Sequence, residues 1–196
     1  MNPKTKKLTV MAMLVAISVV LLYLPRPWFP TAPFLEYDLA DIPILIGAFA
    51  YGPLTGVLLT VIASVIQGLT VSAQSGLYGI IMHIIATSTL VLVAAGFYRV
   101  KHTIVGGIIG LICGTLAMSG VMMVANHFIT PFFLGAPVAL VDAMLLPAVL
   151  PFNLSKAGLN SIVAFLVYLR VSRYIVYAEP IKKMDGLSSD AEVFGK

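Results

Sequence analysis

Residues 8–24, 42–71, 77–98 and 103–128 of this chain contain no Asp, Glu, Lys or Arg, and that absence constrains the fold more than any motif does. A bilayer crossing needs about 20 consecutive apolar residues. A chain with several uncharged runs on this scale buries them in lipid, so the fold class is all-α integral membrane. Composition agrees: 10% of residues are charged, against roughly 25% in soluble domains, and the mean hydropathy is +1.02. Residues 1–178 form one domain and 179–196 a polar cytoplasmic tail. Cys113, lying mid-run, is a small buried hydrophobe that has no second cysteine to pair with.

Apolar periodicity and breaks place six transmembrane helices near 8–24, 42–52, 53–71, 77–98, 103–128 and 150–172. The YGPLTG break at 51–56 makes the second and third a tight helical hairpin with Pro53 in the first turn; a single long kinked helix is the alternative. The first run lacks a small-residue cleavage site and reads as a retained helix rather than a signal peptide. Lys4, Lys6, Lys7, Arg99, Lys101, Arg170, Arg173, Lys182 and Lys183 fall on one side, and Arg26, Glu36, Asp38, Asp41 and Asp142 on the other. The positive-inside rule then puts both termini in the cytoplasm of a multi-pass cell-membrane protein. The stretch 25–47 then falls outside, and its part between helices 1 and 2, with prolines at 25, 27, 30 and 33, becomes an extracellular lid loop. Trp28 and Phe29 read as interfacial anchors, Asp41 as a cap for helix 2, and Asp38 as a second cap or a brace. Gly106, Gly110 and Gly114 on helix 5, and Ala12 and Ala16 on helix 1, create grooves for close helix approach, within the protein or with a partner.

No GxxxxGK[ST] loop, HExxH or GxSxG is present, so neither nucleotide hydrolysis by that route nor a zinc or serine hydrolase is expected. His83, His102 and His127 have no Cys, Asp or Glu at metal spacing, and no metal site or cofactor is expected. Every acid falls in a loop, at a helix end or in the tail, unlike the mid-membrane carboxylates of ion-coupled carriers. The chain reads as a binder, not an enzyme, without its own energy source and without nucleic acid among its partners.

The informative polar cluster is LPFNLSKAGLN at 150–160. Asn153, Lys156 and Asn160 stand at i, i+3 and i+7, within roughly 60° of one another on one helix face. A lysine costs about 2.5–3.5 kcal/mol near the membrane centre, and two flanking amides favour a ligand-facing role over snorkelling. Asn126 joins the same cavity, caps helix 5 or binds a carbonyl. Gly76, Gly79 and His83 share a face of helix 4, which serves a flat ligand or helix packing. His83 is a satisfied core histidine or a ligand contact, and Gln74 and Tyr78 are further polar candidates. Phe34, Leu35 and Tyr37 of the lid cover an apolar guest.

The segments FLEYDLADIPILIGAFAYGPLTG, GLYGIIMH and LPFNLSKAGLN, with Ala12-xxx-Ala16, resemble the substrate-binding S components of energy-coupling factor transporters, most nearly the riboflavin-specific ones. The resemblance spans about residues 8–172. It implies a six-helix subunit that captures riboflavin outside and delivers it inward with a transmembrane coupling subunit and two ATPases. It also implies vitamin contacts at Asn126, Asn153, Lys156 and the loop residues Leu35, Glu36, Tyr37 and Asp38, and a coupling-subunit surface at Ala12 and Ala16. Riboflavin is then cargo. Flavin mononucleotide or another vitamin as cargo, a stand-alone carrier and a membrane-embedded enzyme are the alternatives.

Overall fold

The computed structural model describes residues 2–24, 32 and 34–175. Among them are seven α-helices and no β-strand: α1 Pro3–Leu22, α2 Asp41–Tyr51, α3 Pro53–Leu69, α4 Gly76–Val100, α5 Ile104–Leu134, α6 Val138–Met144 and α7 Leu150–Ile175. Lys4–Leu22, Ala73–Val100, Ile104–Leu134 and Val138–Ser172 are long and apolar enough to cross a membrane, and α2 and α3 are shorter apolar helices. The six expected helices are therefore present. The expected polar tail at 179–196, Trp28, Phe29 and most of the proline-rich stretch lie outside the described residues.

Residues 41–69 form a hairpin, not a kinked rod. Gly52 has φ +96°, a conformation that disfavours any side chain, and Pro53 starts α3 with its fixed φ. A Cβ on Gly56 would sit 2.6 Å from the Ala48 Cβ across the turn. In one continuous helix those residues would be about 12 Å apart. Helix α2 is buried on every side from Asp41 to Phe49, as expected of a helix that is apolar all round. At 11 residues it is about 16 Å long, half a bilayer crossing.

The segment before the last span departs from expectation. Residues 138–144, expected to be a connection, form α6, which runs through a π-helical turn at Leu145–Val149 into α7. Pro147 and Pro151 lack the N–H groups that an α-helix would direct at the carbonyls four residues earlier, and the wider turn absorbs both gaps, with the Leu150 N–H reaching back to the Leu145 carbonyl. Helix α5 also outruns its expected end, passing Pro131 and stopping at Gly135, whose φ of +60° suits glycine.

The two small-residue stripes have different uses. On α5, a Cβ at Gly110 would lie 2.6 Å from the Ala94 carbonyl oxygen and one at Gly114 3.0 Å from that of Leu90, so these glycines admit α4. On α1, Ala12 and Ala16 are exposed, as is most of that helix face. Gly110→Val therefore forces α4 and α5 apart and lowers stability by about 1–3 kcal/mol, whereas Gly120→Ala, with nothing within 4 Å of the added methyl, does not lower it. Thermal unfolding in detergent checks both, and equal midpoints for Gly110→Val and the parent would contradict the packing described.

Candidate functional site

The short α2 determines where the site lies. Its first residue, Asp41, accepts a hydrogen bond from the Thr87 hydroxyl at 2.6 Å, and Thr87 lies near the middle of α4. Residues 34–40 must therefore enter the bundle to that depth before α2 can begin. Leu35, Asp38 and Ala40 are buried accordingly. Ala32 and Leu35 pack with Ala148, Val149 and Phe152 of the π turn and α7.

Asp41 does not cap α2. Ala40 holds the N-cap position without a side-chain hydrogen bond, and the Asp41 carboxylate turns instead to Thr87, to Asn160 Nδ2 at 3.2 Å and to His83 Nε2 at 3.4 Å. Asp38 is the brace: its Oδ1 accepts from the Ala40 N–H at 3.2 Å. The Ser18 hydroxyl of α1 donates to the Ala40 carbonyl at 3.1 Å.

One face of α7 holds this loop. Asn153, Lys156 and Asn160, expected to share a face, do share it, and all three are buried. Lys156 Nζ donates to Asp38 Oδ2 at 2.8 Å. Asn160 Nδ2 donates to the Asp38 carbonyl at 2.9 Å, and its Oδ1 accepts from the Tyr37 hydroxyl at 3.1 Å. Burial, and then the adjacent Asp38 carboxylate, push the Tyr37 phenol above its ordinary value, which keeps it a donor. Asn153 Nδ2 donates to the Val149 carbonyl, leaving its second N–H and its oxygen for another partner.

Above this clamp lies a cavity with about 120 Å³ available to the centre of a water molecule, where a single buried water needs roughly 10–15 Å³. Of the sequence-expected residues, Leu35, Glu36, Asp38, Gly79, His83, Asn126, Asn153 and Lys156 line it, as do Phe34 and Tyr78. Asn160 and Tyr37 lie beside it, bound to each other and to the loop. Gln74 is exposed and not among the lining residues. Gly79 does not bare its backbone to a flat ligand; a Cβ there would meet the Ser75 side chain at 2.6 Å. Asn126 does not cap α5. Its Nδ2 donates to the Met122 carbonyl and its Oδ1 accepts from Thr130.

Sequence reasoning missed Gln67, Ser64 and Ser72 on the wall made by the end of α3 and the following turn, and Met82, Met118, Met122 and Phe133 among the apolar lining. Only helical phase at atomic resolution separates these from equally apolar neighbours that face lipid. It also missed Asp41 as the carboxylate partner of His83. Asp38, Asp41 and His83 bring one potential ligand atom each to within 4.8 Å of one another, although no sequence spacing announces it. The Lys156 ammonium lies on Asp38, and Thr87 and Asn160 donate to Asp41, so both carboxylates already have donor partners within the protein. His83 Nδ1 is 2.7 Å from the Ser64 hydroxyl, so both ring nitrogens have neighbours.

A cavity lined by apolar rings and thioethers with a few amides, carboxylates and one ammonium can take a molecule that has both apolar and hydrogen-bonding parts. The family model for the substrate-specific component of ECF transporters matches residues 6–168. The riboflavin transporter FmnP of Bacillus subtilis is 34% identical over 182 residues, covering 88% of this chain and 95% of its own length. The riboflavin transporter RibU of Staphylococcus aureus is 28% identical over 180 residues, 88% and 93% of the two chains. A solved S component of a bacterial ECF transporter superposes with a TM-score of 0.77 at 27% identity, over 87% of this chain and 98% of that one.

The buried ion pair generates a direct test. Lys156→Ala leaves the Asp38 carboxylate buried without its cation and lowers stability by about 3–5 kcal/mol. Adding Asp38→Asn recovers most of that loss. Thermal unfolding in detergent reads both, and a Lys156→Ala protein as stable as the parent would show that the pair does not hold the loop.

Proposed function

The chain belongs to the substrate-specific components of the ECF transporters, and from that membership we propose that it captures riboflavin outside the cell for an ATP-driven importer. The observation that carries this reading is the lining of the central cavity. Riboflavin has a flat apolar tricycle, an imide edge with one N–H between two carbonyls, and a hydroxylated ribityl chain. Met82, Met118, Met122, Phe133 and Phe152 suit the rings, and Asn153 and Lys156 offer N–H donors and an amide oxygen to the polar parts. Asn126, Leu35, Glu36, Asp38 and His83 complete the contacts, with Tyr37 and Asn160 holding the loop in place. The flavin is cargo, and as a transporter component the protein is not an enzyme.

Orientation follows from charge. Lys7 lies over the Tyr51 ring at 5.1 Å, at the hairpin end that also carries Arg99. Placing that end and both termini in the cytoplasm obeys the positive-inside rule. The cavity then opens outward, and residues 34–40, four of which line it, act as its lid. Exposed Ala12 and Ala16 present a flat surface on α1 for the transmembrane coupling subunit, whose two ATPases supply the energy.

A phosphorylated flavin is the weaker cargo. Glu36 and Asp38 both line the cavity, and the only lining cation among the described residues, Lys156, is already on Asp38. A dianionic phosphate would face net negative charge.

The purified protein is expected to quench riboflavin fluorescence saturably, with flavin mononucleotide competing poorly. No quenching by a folded preparation would overturn the cargo assignment. Replacing Ala12 and Ala16 together by leucine is expected to leave quenching intact and abolish riboflavin uptake by cells that contain the ATPase module. Loss of quenching would instead assign those alanines to internal packing.

A further inference from the structure

Among the described residues that line the central cavity, all but one are buried or half-buried. The exception is Tyr78, in the first turn of α4, which forms part of the cavity wall and is also 43% exposed. One side chain therefore separates the cavity from the exterior at this point. A tyrosine at the end of a membrane helix ordinarily anchors it at the interface, with its ring among lipid headgroups. Anchoring alone does not account for a ring that also walls a cavity.

Tyr78 meets a partner across the helix pair. Its ring centroid lies 5.8 Å from that of Phe133, with the ring planes tilted by 50°. Phe133 belongs to the last turn of α5 and lines the cavity too. The two rings thus bridge the outer ends of α4 and α5.

The loop that covers the cavity is fastened far more firmly. Lys156 holds the Asp38 carboxylate, Asn160 holds the Asp38 carbonyl, and the Ser72 hydroxyl donates to Glu36 at 2.6 Å. Lifting residues 34–40 would separate a buried ion pair, which is strongly unfavourable, whereas parting two rings at the helix ends forfeits one modest aromatic contact. Exposed side chains also change rotamer within nanoseconds. The cheaper opening is the one between the rings. We propose that Tyr78 and Phe133 are the door of the cavity, through which riboflavin enters and leaves between the outer ends of α4 and α5. The proposal rests on the cargo assignment above.

A door that opens and shuts faster than the ligand moves scales association and release alike by the fraction of time it stands open. A residue that merely touches the bound flavin behaves differently, because its loss speeds release alone.

Stopped-flow quenching of riboflavin fluorescence by the full chain in detergent measures both rates for the parent, Tyr78→Ala, Phe133→Ala and Tyr78→Phe. Losing one ring contact is expected to raise association and release together by roughly 2- to 10-fold in each alanine variant, with the dissociation constant changed by less than about 2-fold. Tyr78→Phe, which keeps the ring, is expected to match the parent. Faster release with unchanged association would make Tyr78 a ligand contact, and unchanged rates in either folded alanine variant would place the passage elsewhere; each result overturns the proposal. Should Tyr78→Ala fail to fold, Phe133→Ala carries the same comparison. A folded parent that does not quench riboflavin would instead overturn the cargo assignment.

Discussion

The ion pair between Lys156 and Asp38 is the interaction on which the rest of the arrangement depends. An ammonium and a carboxylate, each almost fully shielded from solvent, are tolerable within a hydrocarbon-embedded bundle only together, because either alone would carry a large desolvation penalty. Their union ties a loop to a helix more than a hundred residues later in the chain. It thereby makes one compact wall from two segments that share no regular secondary-structure contact. Asn160 reinforces it from below by holding the Asp38 carbonyl and the Asp41 carboxylate at once.

Why the loop reaches so deep is explained by α2. A full-length second helix would lift residues 34–40 to the membrane surface, where water satisfies their backbone. Eleven residues bring them instead to the level of Thr87, where each polar group needs a protein partner. Ser18, Asp38, Thr87 and Asn160 supply those partners from α1, the loop itself, α4 and α7. The acids at 38 and 41 thus resemble helix-end residues by sequence position while serving as interior groups by depth.

That difference marks the limit of what could be read beforehand. Apolar runs, the Gly52-Pro53 break and the shared face of Asn153, Lys156 and Asn160 were legible, because lipid burial and helical phase depend on near neighbours in sequence. So was the division of α1 and α5 into runs carrying small residues, though not that α5 turns its glycines to α4 while α1 leaves its alanines exposed. The helical character of 138–149 was hidden by two prolines whose missing donors a π turn accommodates. The partners of Asp41 and His83 were illegible for another reason: 42 positions separate them, and nothing local encodes which side of a short helix meets which turn of a long one. Gln67 was passed over because a lone amide near a helix end usually caps or faces water.

Sharing of one helix face between anchoring and binding has a mechanical consequence. Asn153 and Lys156 line the cavity, while Lys156 and Asn160, on the next turns of the same face, hold the loop that forms another of its walls. Displacing residues 34–40 would break the Lys156 pair, free Asn160 and remove Leu35, Glu36 and Asp38 from the lining in one step. A guest bonded to Lys156 and to the Glu36 side of the cavity bridges the same two segments that the ion pair joins. Occupancy and loop position are therefore thermodynamically linked: a guest that prefers the closed arrangement stabilises it by the difference between its affinities for the closed and open forms, and by no more than that.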